Sequence, residues 1–259
     1  MTTNPYAAPR AQVADATTLV RGTFLPTGRV VPTGNGWDWV ASAWSIFRAA
    51  AGTWIGMVLV LAVIFLVFAV LPFIGAVASC ILGPVFTAGL VMASRSAEED
   101  GQVRFAQLFA GFTHRFGTLA AVGALYFAGM FAIFFLAALV SGVGLGVLGG
   151  GMNPEQVMRM GMTLALGLLL ALGLMVPLVM ALWFAPPLVV FHDMGAAEAM
   201  KASFVGSLKN VMPFLLYGIV LVVASVVASL PVFLGWLVLG PVLGASIYTA
   251  YRDIYFSEP

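Results

Sequence analysis

From residue 53 to residue 93 the chain carries no charged side chain. No other feature restricts its fold as much. Two apolar runs fill this length, 53–71 and 74–93, joined only by Leu71-Pro-Phe-Ile-Gly75. A hydrocarbon core about 30 Å thick is crossed by roughly 20 apolar residues in a helix, so each run matches one crossing. Further runs lie at 118–140, 162–191, 211–230 and 232–251, the last two joined by the equally tight Leu230-Pro-Val-Phe-Leu-Gly235. The fourth run is too long for a perpendicular helix and is expected to tilt, kink at Pro177 or protrude. Six spans place both termini on one side.

Composition agrees with this reading. Of 259 residues, 62% are hydrophobic and 8% charged, against about 25% charged in a soluble domain. A chain this apolar cannot cover its own surface with polar groups, so the expected fold class is all-α and integral to a membrane. The net charge of +1 says less than where the charges fall, and no nucleic-acid partner is expected. With six spans, Arg10, Arg21, Arg29, Arg48, Arg95, Arg104, Arg115, Lys201, Lys209 and Arg252 share the face of the termini, and only Arg159 lies opposite. Cytoplasmic loops carry the Lys/Arg excess, so both termini are expected in the cytoplasm. Cys80, the single cysteine, can form no internal disulfide and reads as a small packing residue.

Residues 1–36 read as a disordered cytoplasmic tail, with Asn4-Pro-Tyr-Ala-Ala-Pro9 as a linker or a short docking motif. Residues 37–259 read as the six-span domain. Three amphipathic surface helices are expected before the odd-numbered spans. One has an apolar stripe of Trp37, Val40, Trp44 and Phe47. The second has Phe105, Leu108, Phe109, Phe112 and Phe116, and the third Met200, Phe204, Leu208 and Val211. These spacings of three and four are helical, and basic residues opposite an aromatic face describe a helix lying in the interface. Aligning Trp44, Phe109 and Phe204 sets offsets of 65 and 95, with Pro84, Pro186 and Pro241 as later anchors. Three parallel repeats follow, at about 37–100, 101–195 and 196–256, related by an axis along the membrane normal.

Phe105-Ala-Gln-Leu-Phe-Ala-Gly-Phe112, Trp183-Phe-Ala-Pro-Pro-Leu-Val-Val-Phe-His-Asp193, Lys209-Asn-Val-Met-Pro-Phe214 and Gly240-Pro-Val-Leu-Gly-Ala-Ser-Ile-Tyr248 with Tyr251-Arg-Asp-Ile254 resemble an uncharacterised family of proteobacterial six-helix inner-membrane proteins, the BPSS-type family. The resemblance runs from Val31 to Phe256 and implies a location and a fold, not an activity. Phe191-His-Asp193 with the Ser203-Phe204 that follows is also faintly similar to the membrane domain of glycerophosphodiester phosphodiesterases, whose catalytic domain has no counterpart here.

Other motifs carry less. Gly144-Leu-Gly-Val-Leu-Gly149 matches G-x-G-x-x-G but follows a membrane helix rather than a strand, with no acidic residue about 20 positions on. Gly142, Gly146 and Gly150 read better as a turn or a close helix contact. Gly75, Ser79 and Gly83, with Gly240 and Gly244, read as close helix contacts too. His192 and Asp193 are too few for a zinc site; Asp193 is expected to cap the surface helix after it. Glu98-Glu-Asp100 reads as a solvated turn. No Asp, Glu, Lys or Arg lies inside a span, which disfavours a proton-coupled carrier. No nucleophile–base pair is visible, so no catalytic residue, metal or cofactor is assigned. The expected function is a non-catalytic inner-membrane module that binds anionic phospholipid or a protein partner through Arg48, Arg104, Arg115, Lys201 and Lys209. The alternative is a transporter or channel for a small or lipidic solute, with Pro84, Pro186, Pro187 and Pro241 as hinges.

Overall fold

The computed structural model describes residues 22–141 and 154–257, and these are all-helical apart from an isolated antiparallel bridge between Phe24 and Phe256. In order they form α1 (Asn35–Ala49), α2 (Ala51–Val70), α3 (Ile74–Glu99), a 3-10 turn (Phe105–Phe109), α4 (Ala110–Thr113), α5 (Phe116–Ser141), α6 (Pro154–Trp183), α7 (Ala185–His192), α8 (Ala196–Lys209), α9 (Val211–Ser229) and α10 (Trp236–Tyr255). Gly144–Gly149, with Gly142 and Gly150, lies outside the described residues, as do Asn4–Pro9.

Five segments are long and apolar enough to cross a membrane: Ala51–Val70, Ile74–Glu99, Phe116–Ser141, Glu155–His192 and Val211–Ser229. The chain is therefore a membrane-embedded helical protein. The expected sixth span, α10, has the length at 20 residues but not the composition. Its last turns carry Tyr251, Arg252 and Asp253, and most of its length is buried in protein. The outermost helices behave as lipid-facing elements should: Val63, Leu66 and Val70 on α2 and Val222 and Val226 on α9 are at least 60% exposed.

The core lies where α3, α7 and α10 meet α1 and α8, around Trp54, Phe184, Leu188, Val85 and Tyr255. Glycines set the close approaches. A Cβ on Gly36 would lie 2.3 Å from the Pro213 carbonyl oxygen, and one on Gly89 would lie 2.3 Å from that of Leu108. Gly123 of α5 rides against the α3 backbone, its Cβ position 2.6 Å from the Cys80 carbonyl oxygen. Gly75, Gly240 and Gly244 make close contacts, as expected. Gly83 does not, since nothing lies within 4 Å of its Cβ position.

The interfacial helices depart from expectation in detail. α1 and α8 are helices, but the middle one is a 3-10 turn followed by a single helical turn, with Gly111 pressed to the Val85 carbonyl oxygen. Trp44 and Phe109 are exposed and Phe204 is half-buried, so the aromatic anchors do not all dock inward. The fully buried residues are the ones just before them, Ala43, Leu108 and Ser203. Inward packing here favours the side chain that lets two backbones approach, and it leaves the larger aromatics for the interface. The two tight joints are alike. Phe73 and Phe233 both take positive φ, 59° and 62°. Gly75 and Gly235 abut the carbonyls of Phe68 and Ala228.

Residues 22–34, expected in the disordered tail, are folded. This strap lies over the ends of α8 and α10, with Leu25 N–H donating to the Tyr255 carbonyl and Arg29 N–H to that of Ile254, both at 2.8 Å. Asn210, fully buried, accepts from Val31 N–H and donates to the Arg29 carbonyl, again at 2.8 Å. Buried side-chain partners, rather than apolar content, hold a segment that looks featureless in composition.

Candidate functional site

Tyr248, Tyr251 and Tyr255 recur every three or four residues along α10 and so share one face, which is buried. Arg252 and Asp253 leave the helix on either side of that face. Around them the strap, α1, the end of α3 and the end of α7 enclose a polar cleft of about 820 Å³.

Asp253 is its hub. One carboxylate oxygen accepts from Arg29 at 2.9 Å, the other from Asn35 Nδ2 and Trp39 Nε1 at 2.8 Å each. Arg29 Nε also donates to the Asp253 carbonyl at 2.8 Å. Across the cleft, Glu98 accepts from the Tyr248 hydroxyl at 2.7 Å and pairs with Arg252. Arg95 pairs with Glu99 at 2.8 Å, and its guanidinium lies 4.9 Å from the centre of the Phe191 ring, within cation–π range. Glu98 and Glu99 are thus structural partners rather than a solvated turn. His192 shares a 2.5 Å hydrogen bond between Nε2 and the Tyr251 hydroxyl and stacks on Phe24 at 3.4 Å. Arg29, Arg95 and Arg252 are matched by Glu98, Glu99 and Asp253, and Asp38 adds an acidic group to the lining.

Asp193 does not cap α8. It ends α7 in the left-handed region, φ 56°, and its carboxylate faces Arg115 at 3.4 Å. Arg115 also donates to the Asp193 carbonyl at 2.5 Å. Lys209 donates to the carbonyls of Thr27 and Gly28, each at 3.0 Å. These two expected headgroup contacts therefore hold the protein together. Arg48, Arg104 and Lys201 are exposed and make no ion pair among the described residues. Among the described residues, no three His, Cys, Asp or Glu side chains gather to hold a metal ion.

The prolines expected as hinges, Pro84, Pro186, Pro187 and Pro241, are all buried. α3 and α10 continue through Pro84 and Pro241, as α6 does through Pro177. The break comes at Phe184, with Pro186 and Pro187 in the first turn of α7, positions where a missing N–H costs least. Ser203 of α8 completes it. Its hydroxyl accepts from Phe184 N–H at 2.9 Å and donates to the Met180 carbonyl at 2.6 Å, the two groups an unbroken helix would pair directly. Nothing in the sequence marks Ser203 for this role except a small polar residue in an otherwise apolar packing face.

A second hollow of about 390 Å³ lies at membrane depth between α3, α5, α6 and α10, lined by Pro84, Tyr126, Trp183 and Pro186 among others.

No family model matches the chain, and no solved structure resembles it. One curated protein does. A Burkholderia thailandensis protein named a "probable inner membrane protein" is 28% identical over 226 residues, covering 83% of this chain and 80% of its own length. Its similarity extends over most of both chains rather than one motif.

Proposed function

We propose that the chain is a non-catalytic module of the bacterial inner membrane that gathers anionic phospholipid against its cytoplasmic face. The observation that carries this is the pairing of uncommitted cations with outward aromatics. Arg48, Arg104 and Lys201 stand exposed without ion pairs beside Trp44, Phe105 and Phe109, which are 39–44% exposed. Aromatic rings at headgroup level and basic residues beside them favour an anionic leaflet, each cation contributing about 1 kcal/mol. The relative's printed name supports the inner membrane as the location.

Six spans remain the preferred count, and α10 supplies the sixth. The pairing of Phe24 with Phe256 supports an even number of crossings, with the two ends of the described chain on one side. A Lys/Arg excess on that side, with Arg48, Arg104, Lys201 and Arg252, favours the cytoplasm. Three parallel repeats are supported by register. Ala43, Leu108 and Ser203, all fully buried, keep the offsets of 65 and 95. Phe73 with Phe233 and Gly75 with Gly235 keep the total of 160. Between α3 and α10 the offset becomes 157; Pro84, Val85, Ala88, Gly89, Val91, Ala93 and Ser94 have buried counterparts, while buried Phe86 corresponds to half-buried Leu243.

The test is to replace Arg48, Arg104 and Lys201 together with glutamine and to weigh co-purifying lipids by mass spectrometry in mild detergent. Insertion should be unchanged and phosphatidylglycerol and cardiolipin should fall relative to the parent. Equal retention would end the proposal. Passage of a lipidic solute is the second reading, favoured by the hollow between Pro84 and Pro186.

A further inference from the structure

The strap begins at the rim of the polar cleft. Gly22, the first described residue, lines the cleft together with Phe256 and Ser257. Thr23 N–H donates to Ser257 Oγ at 2.8 Å, and the Thr23 carbonyl accepts from Ser257 N–H at 3.1 Å. A Cβ on Gly22 would overlap the Ser257 carbonyl oxygen, so the backbone is pressed against this rim. The 21 residues before it are therefore brought to the cleft by their own attachment. Of the charged groups in the lining, Asp38 alone has no ion pair or hydrogen bond among the described residues. The Ser42 hydroxyl, one turn further along α1, makes no hydrogen bond there either. Half-buried rings of Phe191 and Phe256 give the same lining an apolar part. An occupant that suits it carries one cation and an apolar side chain on a polar backbone.

We propose that the residues just before Gly22 dock into the polar cleft, with the Arg21 guanidinium on the Asp38 carboxylate and Leu19 against Phe191. In an extended segment Leu19 and Arg21 share one side, because side chains alternate. Three such residues reach about 10 Å, so both stay close to the rim where Gly22 is held. Charge agrees: residues 1–21 carry Arg10 and Arg21 against Asp15, an excess of one cation, and the cleft has an excess of one acid. An exposed ion pair is weak by itself. Attachment at Gly22 makes this one intramolecular, at a roughly millimolar effective concentration. The cleft is thus a peptide site filled by the chain's own segment. The inference does not rest on lipid binding by Arg48, Arg104 and Lys201.

Full-length protein in mild detergent, with Cys80→Ala to remove the native thiol, would carry Leu19→Cys together with Ser42→Cys. Copper–phenanthroline oxidation should give an internal disulfide, read by mass spectrometry of peptides. The control pairs Leu19→Cys with Thr113→Cys, a position exposed but outside the lining, and should link at least several-fold more slowly. Without any cysteine added, trypsin should cut after Arg10 faster than after Arg21. Asp38→Asn should speed the cut after Arg21 several-fold and leave the cut after Arg29, within the strap, unchanged. The proposal is overturned if the Ser42→Cys pair links no faster than the Thr113→Cys pair, if the disulfide joins two chains rather than one, or if Asp38→Asn leaves cleavage after Arg21 as in the parent.

Discussion

Ser203 shows how much one hydroxyl can decide. Replacing it with alanine strands Phe184 N–H in a buried position and leaves the Met180 carbonyl only the long 3.4 Å bond from Ser207, a loss of about 1–3 kcal/mol. Unfolding of Ser203→Ala in detergent should register that loss, and Ser203→Thr should recover part of it. Asp253 has more partners and a different consequence. In Asp253→Ala, the groups of Arg29, Asn35 and Trp39 that converge on the carboxylate lose their common acceptor, so the strap should loosen. Limited proteolysis between residues 22 and 34 should become several-fold faster while the helices stay intact; unchanged cleavage would deny Asp253 this role. Neither residue was legible in advance. A serine and an aspartate acquire these roles only from backbones that lie far along the chain, and periodicity within one helix carries no trace of such partners.

Elements were more legible than residues. Apolar runs of membrane length announced the long helices, and tight proline- and glycine-bearing joints announced the hairpins, because hydrocarbon enforces helix wherever backbone must be satisfied. The middle surface element misled, since stripes at spacing three and four also suit a 3-10 turn whose side chains recur every third residue. What bends it is contact: Gly89 and Gly111 let α3 press against it at two places. Gly89→Val should therefore separate α3 from the turn, at about 1–3 kcal/mol. Gly83→Ala, one helix face away with open space at its Cβ, should be neutral or gain up to about 1 kcal/mol from helix propensity. Thermal unfolding of the two variants side by side checks both, and similar values would refute the packing assigned to Gly89.

For the whole molecule the decisive feature is the meeting of its ends. An alkaline phosphatase fused after Pro259 should be inactive, and so should one placed in α8, while a fusion near Met152 should be active. An active C-terminal fusion would be incompatible with six crossings and with the assigned orientation. The charge distribution suggests this topology from sequence; the strap, which supports it independently, leaves no such sign, since its polar residues resemble a tail. Thr23 bonds Ser257 across 234 residues, and Arg29, Asn35 and Trp39 reach Asp253 across 214 to 224. A ribosome makes 214 to 224 residues between these partners. Until Asp253 is made, Arg29 and Trp39 wait at the membrane surface with their final partner missing, and non-local contacts of this kind close slowly. The polar cleft therefore cannot close before α10 has left the ribosome, whatever the earlier helices have already built.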